Sequence, residues 1–390
     1  MISPDLPAGL LAQAPDVGGW LHDIDPFAIR ITPQLIRWYG LSYMAGFVLG
    51  FLVLRALAKR GLIAIPAERV FDAIVALVVG VIVGGRLGYC LFYRPSYLWS
   101  FDGSFPFWRA LAIHDGGMAS HGGMIGVVIA CWLISRWFRA DDGQRVGRCP
   151  TLHVTDSVCL AAPFGLFFGR IANFINGELL GRIVVHPASD ERAPWWSVRS
   201  PQELLTEHGV GVERTPEQQF RLARLIDQYR TLPAESDRAT IQRMIDAVQA
   251  GSAELQAQLA PLISARHPSQ LYQAAAEGIA VGLVVWFIAR RPRWPGVVSA
   301  WFLISYGVLR VLTEFYRLPD AHFDEGAGFF DLTSPRPLGL SRGQWLSVAM
   351  VLAGGGILVW RRLKPAETRS FGWLARGKTS AQPGASDGSS

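Results

Sequence analysis

The chain has 390 residues, half of them hydrophobic and only 17% charged, with a net charge of +6. Soluble domains carry roughly 25% charged residues, so a string of two or three soluble domains is excluded. The basic residues sit beside apolar runs and form no aromatic-interleaved patch, which points to an anionic lipid surface rather than nucleic acid.

Apolar runs long enough to span a bilayer, roughly 17 to 25 residues, predict about seven transmembrane helices. In chain order they cover residues 35–54, 70–93, 118–137, 152–174, 270–289, 297–316 and 344–360. The predicted fold is an all-α polytopic membrane protein with a soluble insert. Residues 1–30 show no basic segment followed by an apolar core and a small-residue cleavage site, so no signal peptide is expected. Arg55, Lys59, Arg60 and Arg69 lie between helices one and two. Arg136, Arg139, Arg145 and Arg148 follow helix three, Arg290, Arg291 and Arg293 separate helices five and six, and Arg361, Arg362 and Lys364 follow helix seven. These four segments alternate as one side of a seven-helix protein should, and the positive-inside rule assigns them to the cytoplasm. The N-terminus and residues 94–117, 175–266 and 317–342 are then expected outside.

This divides the chain into an outer segment 1–34, helices one to four within 35–182, and an outer insert 183–266. Helices five to seven come next within 267–364, then a disordered cytoplasmic tail 365–390, small and polar from Lys378 to Ser390. In the insert, Phe220, Leu222, Leu225, Ile226 and Tyr229, then Ile241, Met244, Ile245 and Val248, recur at helical spacing. Leu232-Pro233 should break this pattern into two helices. The insert reads either as a cap on the outer face or as an idiosyncratic hairpin. Cys90, Cys131, Cys149 and Cys159 have no disulfide or zinc spacing and read as packing residues.

Ionisable groups inside a membrane helix cost at least roughly 2.5 to 3.5 kcal/mol at its centre and call for a reason. Asp72 and Asp156 fall near cytoplasmic ends, where water can reach them. Arg86, His121, Arg170, Glu277, Arg310 and Glu314 fall in the outer part of their helices, Glu277 somewhat deeper. Helix three enters as GGMASHGGMIG, with His121 the side chain there able to titrate near neutral pH among glycines that permit close approach. Its alternative is a histidine satisfied by a carbonyl. Helix four ends as GRIANFINGELLGR, where Arg170 and Asn173 share a face and Asn176-Gly177 marks a helix end. A guanidinium fork suits phosphate oxygens, although an arginine there can also simply snorkel. Tyr306, Arg310 and Glu314 form one polar stripe at four-residue steps on helix six, consistent with an Arg310–Glu314 pair that pins packing or aims the guanidinium. Helix five opens at His267-Pro268, and helix one at Trp38-Tyr39, which also suit an interfacial aromatic belt.

The runs HGGMIG (121–126), GRIANFINGELLGR (169–182), HPSQLYQ (267–273) and YGVLRVLTEFYRLPD (306–320) resemble bacterial prolipoprotein diacylglyceryl transferases. RWYGLSYMAGF (37–47) and GGRLGYCLFY (84–93) do so too, in order from helix one to helix six. The resemblance implies that phosphatidylglycerol donates its diacylglyceryl group to the lipobox cysteine thiol of a preprolipoprotein signal peptide, releasing glycerol phosphate, without metal or organic cofactor. It implies a bacterial inner-membrane location with the active site facing the periplasm. The insert between 183 and 265 is longer than the family pattern. With that chemistry in view, His121 is a candidate base for the thiol, with an arginine-polarised thiolate as its rival. Arg170 and Arg310 are candidate stabilisers of the leaving phosphate. Tyr39, Arg86, Asn173, Asn176, Glu178, Gly181, His267, Tyr306 and Glu314 are candidate substrate-binding residues. Of two other classes, an intramembrane protease lacks a membrane GxSxG or helix-borne aspartate pair. A lipid or anion transporter would call for an internal repeat, and none is found.

Overall fold

A computed structural model describes residues 17–31, 34–103, 105–113, 116–138, 143–205, 211–318 and 342–365. The expected tail 378–390 and the part of the 317–342 loop beyond Leu318 lie outside the described residues.

Strands β1 (Gly18–Leu21), β2 (Phe27–Ile31) and β3 (Gln34–Arg37) precede the first long helix, α1 (Trp38–Lys59). Helix α1 stops at Gly61, whose φ of 61° lets the Leu62 and Gly61 amides turn back onto the Leu57 and Ala58 carbonyls. Helices α2 (Val70–Phe92), α3 (Ser120–Trp137) and α4 (Thr151–Ile175) come next. Strands β4 (Ile183–Val185) and β5 (Ala193–Arg199) open the insert, and helices α5 (Pro216–Tyr229), α6 (Asp237–Gln249) and α7 (Ala253–Leu259) complete it. After β6 (Ala265–Arg266) the chain forms α8 (Ser269–Gln273), a π-helical segment (Ala274–Ala280) and α9 (Val281–Ala289), then α10 (Val297–Glu314) and α11 (Arg342–Leu363).

The described residues contain six helical stretches long and apolar enough to cross a membrane: Trp38–Lys59, Ala67–Phe92, Thr151–Ile175, Ser269–Ala289, Val297–Glu314 and Gly343–Leu363. The expected third span is a shorter apolar helix over Gly122–Arg136. The fold is thus largely helical and polytopic, with short strands that the hydropathy pattern does not reveal.

The chain forms two compact units. One comprises residues 1–43, 168–274 and 312–325, and the other 44–167, 275–311 and 326–390. In the second unit, Leu54, Val70, Cys131, Val154, Leu160 and Val281 centre an apolar core. Its tightest joint is α2 against α3. A Cβ built on Gly84 would collide with the Gly122 carbonyl, and one on Gly126 with the Gly80 carbonyl, so backbone lies directly on backbone. Asp156, expected near solvent, is instead fully buried. It accepts from the Gly296 amide (2.8 Å), the Ser299 amide (2.7 Å) and the Ser299 hydroxyl (2.6 Å), satisfying free amides at the start of α10. Asp72 does sit at the surface, 3.3 Å from Arg69. Cys90 and Cys131 are buried free thiols, as packing residues should be.

In the first unit, a four-stranded sheet of order β1-β5-β6-β4 brings residues 18–21 beside the insert, with β1 parallel to β5 and the other pairs antiparallel. Helices α5 and α6 are amphipathic and start on real caps. Thr215 and Gln218 form a capping box, and Ser236 accepts from the Ala239 amide. Their apolar faces meet α7 in a core of Leu225, Met244, Val248, Leu255, Leu259 and Ile263. The expected break falls between Tyr229 and Asp237, and a second comes at Gly251, whose φ is 91°.

Candidate active site

The end of α4 is a Schellman turn. The Gly177 amide donates to the Phe174 carbonyl and the Glu178 amide to the Asn173 carbonyl, both at 3.0 Å, with Gly177 at φ 67°. This reversal returns Glu178 to the last helical turn. Asn173 Nδ2 donates to one Glu178 carboxylate oxygen at 3.1 Å and Asn176 Nδ2 to the other at 3.2 Å. The Tyr39 phenol lies within electrostatic reach of both Glu178 and Arg170, and 3.2 Å from the Tyr43 hydroxyl. Of the residues singled out in the sequence, Asn173, Asn176 and Glu178 therefore form one hydrogen-bonded polar cluster, with Tyr39 and Arg170 within electrostatic range. The Asn176 Oδ1 atom is buried with no protein hydrogen-bond partner among the described residues.

Immediately after the turn, Leu179 holds φ at 56°, a left-handed conformation a branched aliphatic residue adopts only under constraint. The constraint comes from the His-Pro-Ser-Gln run. Gln270 Nε2 donates to the Glu178 carbonyl, and Ser269 Oγ to the Leu179 carbonyl at 3.1 Å. Further along, the His267 amide donates to the Arg182 carbonyl, and the Arg182 and Leu318 amides donate to the Tyr316 and Leu180 carbonyls. Gly181 is confined by this arrangement, since a Cβ on it would overlap the His267 carbonyl. His267 itself stacks on Trp196 with ring centroids 5.1 Å apart, and meets Tyr316 and Tyr272 edge-on at 5.0 and 5.9 Å. Burial holds its pKa below the ordinary histidine value, favouring the neutral ring.

The second unit holds most of the remaining candidates. Arg310 Nη1 lies 3.3 Å from the Glu277 carboxylate, whose side chain is fully buried within the π-helical segment. Glu277 is 33 positions from Arg310 in sequence, and Glu314, the carboxylate expected to pair with Arg310, lies 3.9 Å from Arg317 in the first unit. Tyr306 stacks on Phe302 with centroids 5.9 Å apart. Arg86, expected to touch substrate, is 4% exposed and commits its guanidinium to main chain. It donates to the carbonyls of Ala110 (2.9 Å), Arg109 (2.7 Å), Gly116 (2.5 Å) and Gly117 (3.1 Å). Its charge thereby holds down the loop between α2 and α3. His121 occupies the first turn of α3, and its side chain lies outside the described residues.

Sequence reasoning misses Glu277, Trp196, His22, Glu203 and Arg266. Glu277 stands out in the sequence as ionisable but has no role there. The others sit in stretches with no local anomaly: His22, just past β1, reaches the Phe174 carbonyl at 2.7 Å across 152 positions.

The sequence profile of prolipoprotein diacylglyceryl transferase matches residues 26–360. This chain belongs to that family. It is 40% identical over 367 residues to the phosphatidylglycerol–prolipoprotein diacylglyceryl transferase of Bdellovibrio bacteriovorus, covering 90% of this chain and 97% of the relative. It is 37% identical over 346 residues to the enzyme of that name from Burkholderia ambifaria, covering 87% and 95%. The matched stretch spans the turn after α4, the insert and Arg310, and the chain is a multi-pass membrane transferase of this family.

Proposed function

We propose that this chain transfers the diacylglyceryl group of phosphatidylglycerol to the lipobox cysteine thiol of preprolipoproteins, at the periplasmic face of the bacterial inner membrane. Family membership supports the reaction, and the polar cluster on the Schellman turn of α4 carries the assignment of the headgroup site. The thiol sulfur bonds to the glyceryl carbon that bears the phosphate, the carbon–oxygen bond breaks, and glycerol phosphate departs with the electron pair. Thiols ionise near pH 8.5, so a base raises the thiolate fraction at neutral pH, and His121 is the candidate. Arg170 and Arg310 each offer a planar fork to phosphate oxygens as charge develops on them. Asn173, Asn176, Glu178 and Tyr39 orient the glycerol headgroup, with the Asn176 Oδ1 atom placed to accept from a hydroxyl. Arg86 acts at one remove, by fixing the 94–117 loop.

The direct test is purified protein with phosphatidylglycerol and a lipobox peptide, read by mass spectrometry of the peptide. The expected result is a gain of one diacylglyceryl group on the cysteine. A peptide of unchanged mass, with lipid merely bound or moved between vesicles, would instead favour a carrier.

Orientation is tested separately. Cysteines introduced within 94–113 or 211–262 should react with a membrane-impermeant maleimide in intact spheroplasts, and Lys59→Cys and Arg145→Cys should not. Labelling of Lys59→Cys from outside would invert the topology and move the site to the cytoplasmic face.

A further inference from the structure

The insert carries a fully buried carboxylate, Glu203, that the reaction chemistry does not use. It collects four donors. Arg266 Nε donates at 2.7 Å, Arg214 Nη2 at 2.9 Å and the Ser264 amide at 3.0 Å, and the Ser264 hydroxyl completes the set. Arg266 is 1% exposed and its other arm, Nη1, donates to the Gly181 carbonyl at 3.0 Å. A single guanidinium thus bridges a carboxylate of the insert and a main-chain oxygen of the 177–182 segment.

The cost of such a pair makes a purely stabilising purpose a poor account. Two desolvated charges gain little over apolar residues of the same volume, and often lose. This pair supplies something that two apolar residues do not, a directional donor aimed at one carbonyl. That carbonyl belongs to the residue whose Cβ position is filled by the His267 carbonyl, two residues after a left-handed leucine and three after Glu178. The strained turn persists only where its surroundings over-determine it. Ser269 and Gln270 grip it at 178–179, and Arg266 grips it at 181.

We infer that Glu203 and Arg266 are positioning residues for lipid-headgroup binding: the insert fixes Arg266 through Glu203 so that Arg266 holds Gly181, and with it the turn that sets Glu178 against Asn173 and Asn176. This gives the long insert a part in the transferase reaction. It rests on the reading of 173–182 as the headgroup site.

The test uses the full chain in detergent micelles, with melting temperature, kcat and KM for phosphatidylglycerol measured together. The double variant Glu203→Met/Arg266→Met replaces both charges by apolar side chains, while Arg214 keeps its 2.7 Å bond to the Leu262 carbonyl. It should fold with some loss of melting temperature, because Arg214 and the Ser264 amide lose their acceptor, and its KM should rise about tenfold or more with kcat little changed, the mark of misplaced binding groups. Arg266→Lys, which keeps the charge opposite Glu203 but offers one nitrogen to two acceptors, should raise KM likewise without lowering the melting temperature. A stable double variant with wild-type KM overturns the inference. If the double variant fails to fold, Arg266→Lys decides, and unchanged KM or a loss of rate in proportion to lost stability overturns it. Asn173→Ala separates the two levels. Should it leave KM unchanged, the headgroup reading fails; should it raise KM while Arg266→Lys does not, the positioning role alone fails.

Discussion

Arg310→Lys is expected to lower the transfer rate roughly 10²- to 10³-fold with the melting temperature of the solubilised protein nearly unchanged. The physical basis is the 3.3 Å pairing with Glu277, whose side chain has no solvent exposure. Lysine retains a positive charge opposite that carboxylate, so the buried pair survives and stability with it. It loses the planar pair of donors by which the proposed clamp would grip two phosphate oxygens at once. A residue that only balanced Glu277 would behave differently, since Arg310→Lys would then be mild in rate as well. Glu277→Gln supplies the contrast: it removes the charge that the guanidinium faces and should destabilise by roughly 3 to 5 kcal/mol. Initial rates and melting curves for both variants in one detergent check the expectation. Proportional losses of rate and stability in Arg310→Lys would reduce the arginine to a packing element.

Gly126→Ala should be the most disruptive single methyl in the membrane helices, costing about 1 to 3 kcal/mol or more. The added carbon would overlap the Gly80 carbonyl, and backbone cannot rotate aside as a side chain can. The two helices must separate, which opens the joint also formed by Gly84 and Gly122. Gly123→Ala is the control, because its Cβ would sit at ordinary contact, 3.7 Å from the Val81 carbonyl. Thermal melts of the two variants, with the monodisperse fraction after solubilisation, should separate them clearly. Equal tolerance of both would mean that α2 and α3 do not pack by backbone contact.

These expectations draw on information the sequence discloses unevenly. Span positions are legible because twenty apolar residues leave few alternatives, and most of the helices begin and end within a few residues of where hydropathy alone puts them. The GRIANFINGELLGR run is legible because its contacts are local. A Schellman turn brings Glu178 to Asn173 over five positions, and Asn-Gly announces it. Arg310 shows the limit. Four-residue spacing on α10 points to Glu314, but nothing in that spacing points to Glu277, which approaches Arg310 to 3.3 Å from 33 positions earlier. Arg86 reads as a ligand because a lone arginine at a helix end has no local partner, and its carbonyl acceptors are 23 to 31 positions away. The sheet is hidden for the same reason: β4, β6 and β1 are two to four residues long, too short for alternation to show, and β1 pairs with β5 across more than 170 positions.

The π-helical segment at Ala274–Ala280 has a consequence of a different kind. Such a segment is in effect an α-helix with one residue too many, and each residue turns the helix about 100°. The surplus residue sets the headings of the side chains within the segment itself. The heading of Glu277 is therefore encoded by counting as much as by chemistry. Deleting one alanine there would keep every functional side chain in the chain and every other hydrophobic residue in the span. It would nonetheless let the segment close as ordinary α-helix and turn the side chains within it, Glu277 among them, to a new heading, a lesion invisible to any inventory of side-chain chemistry.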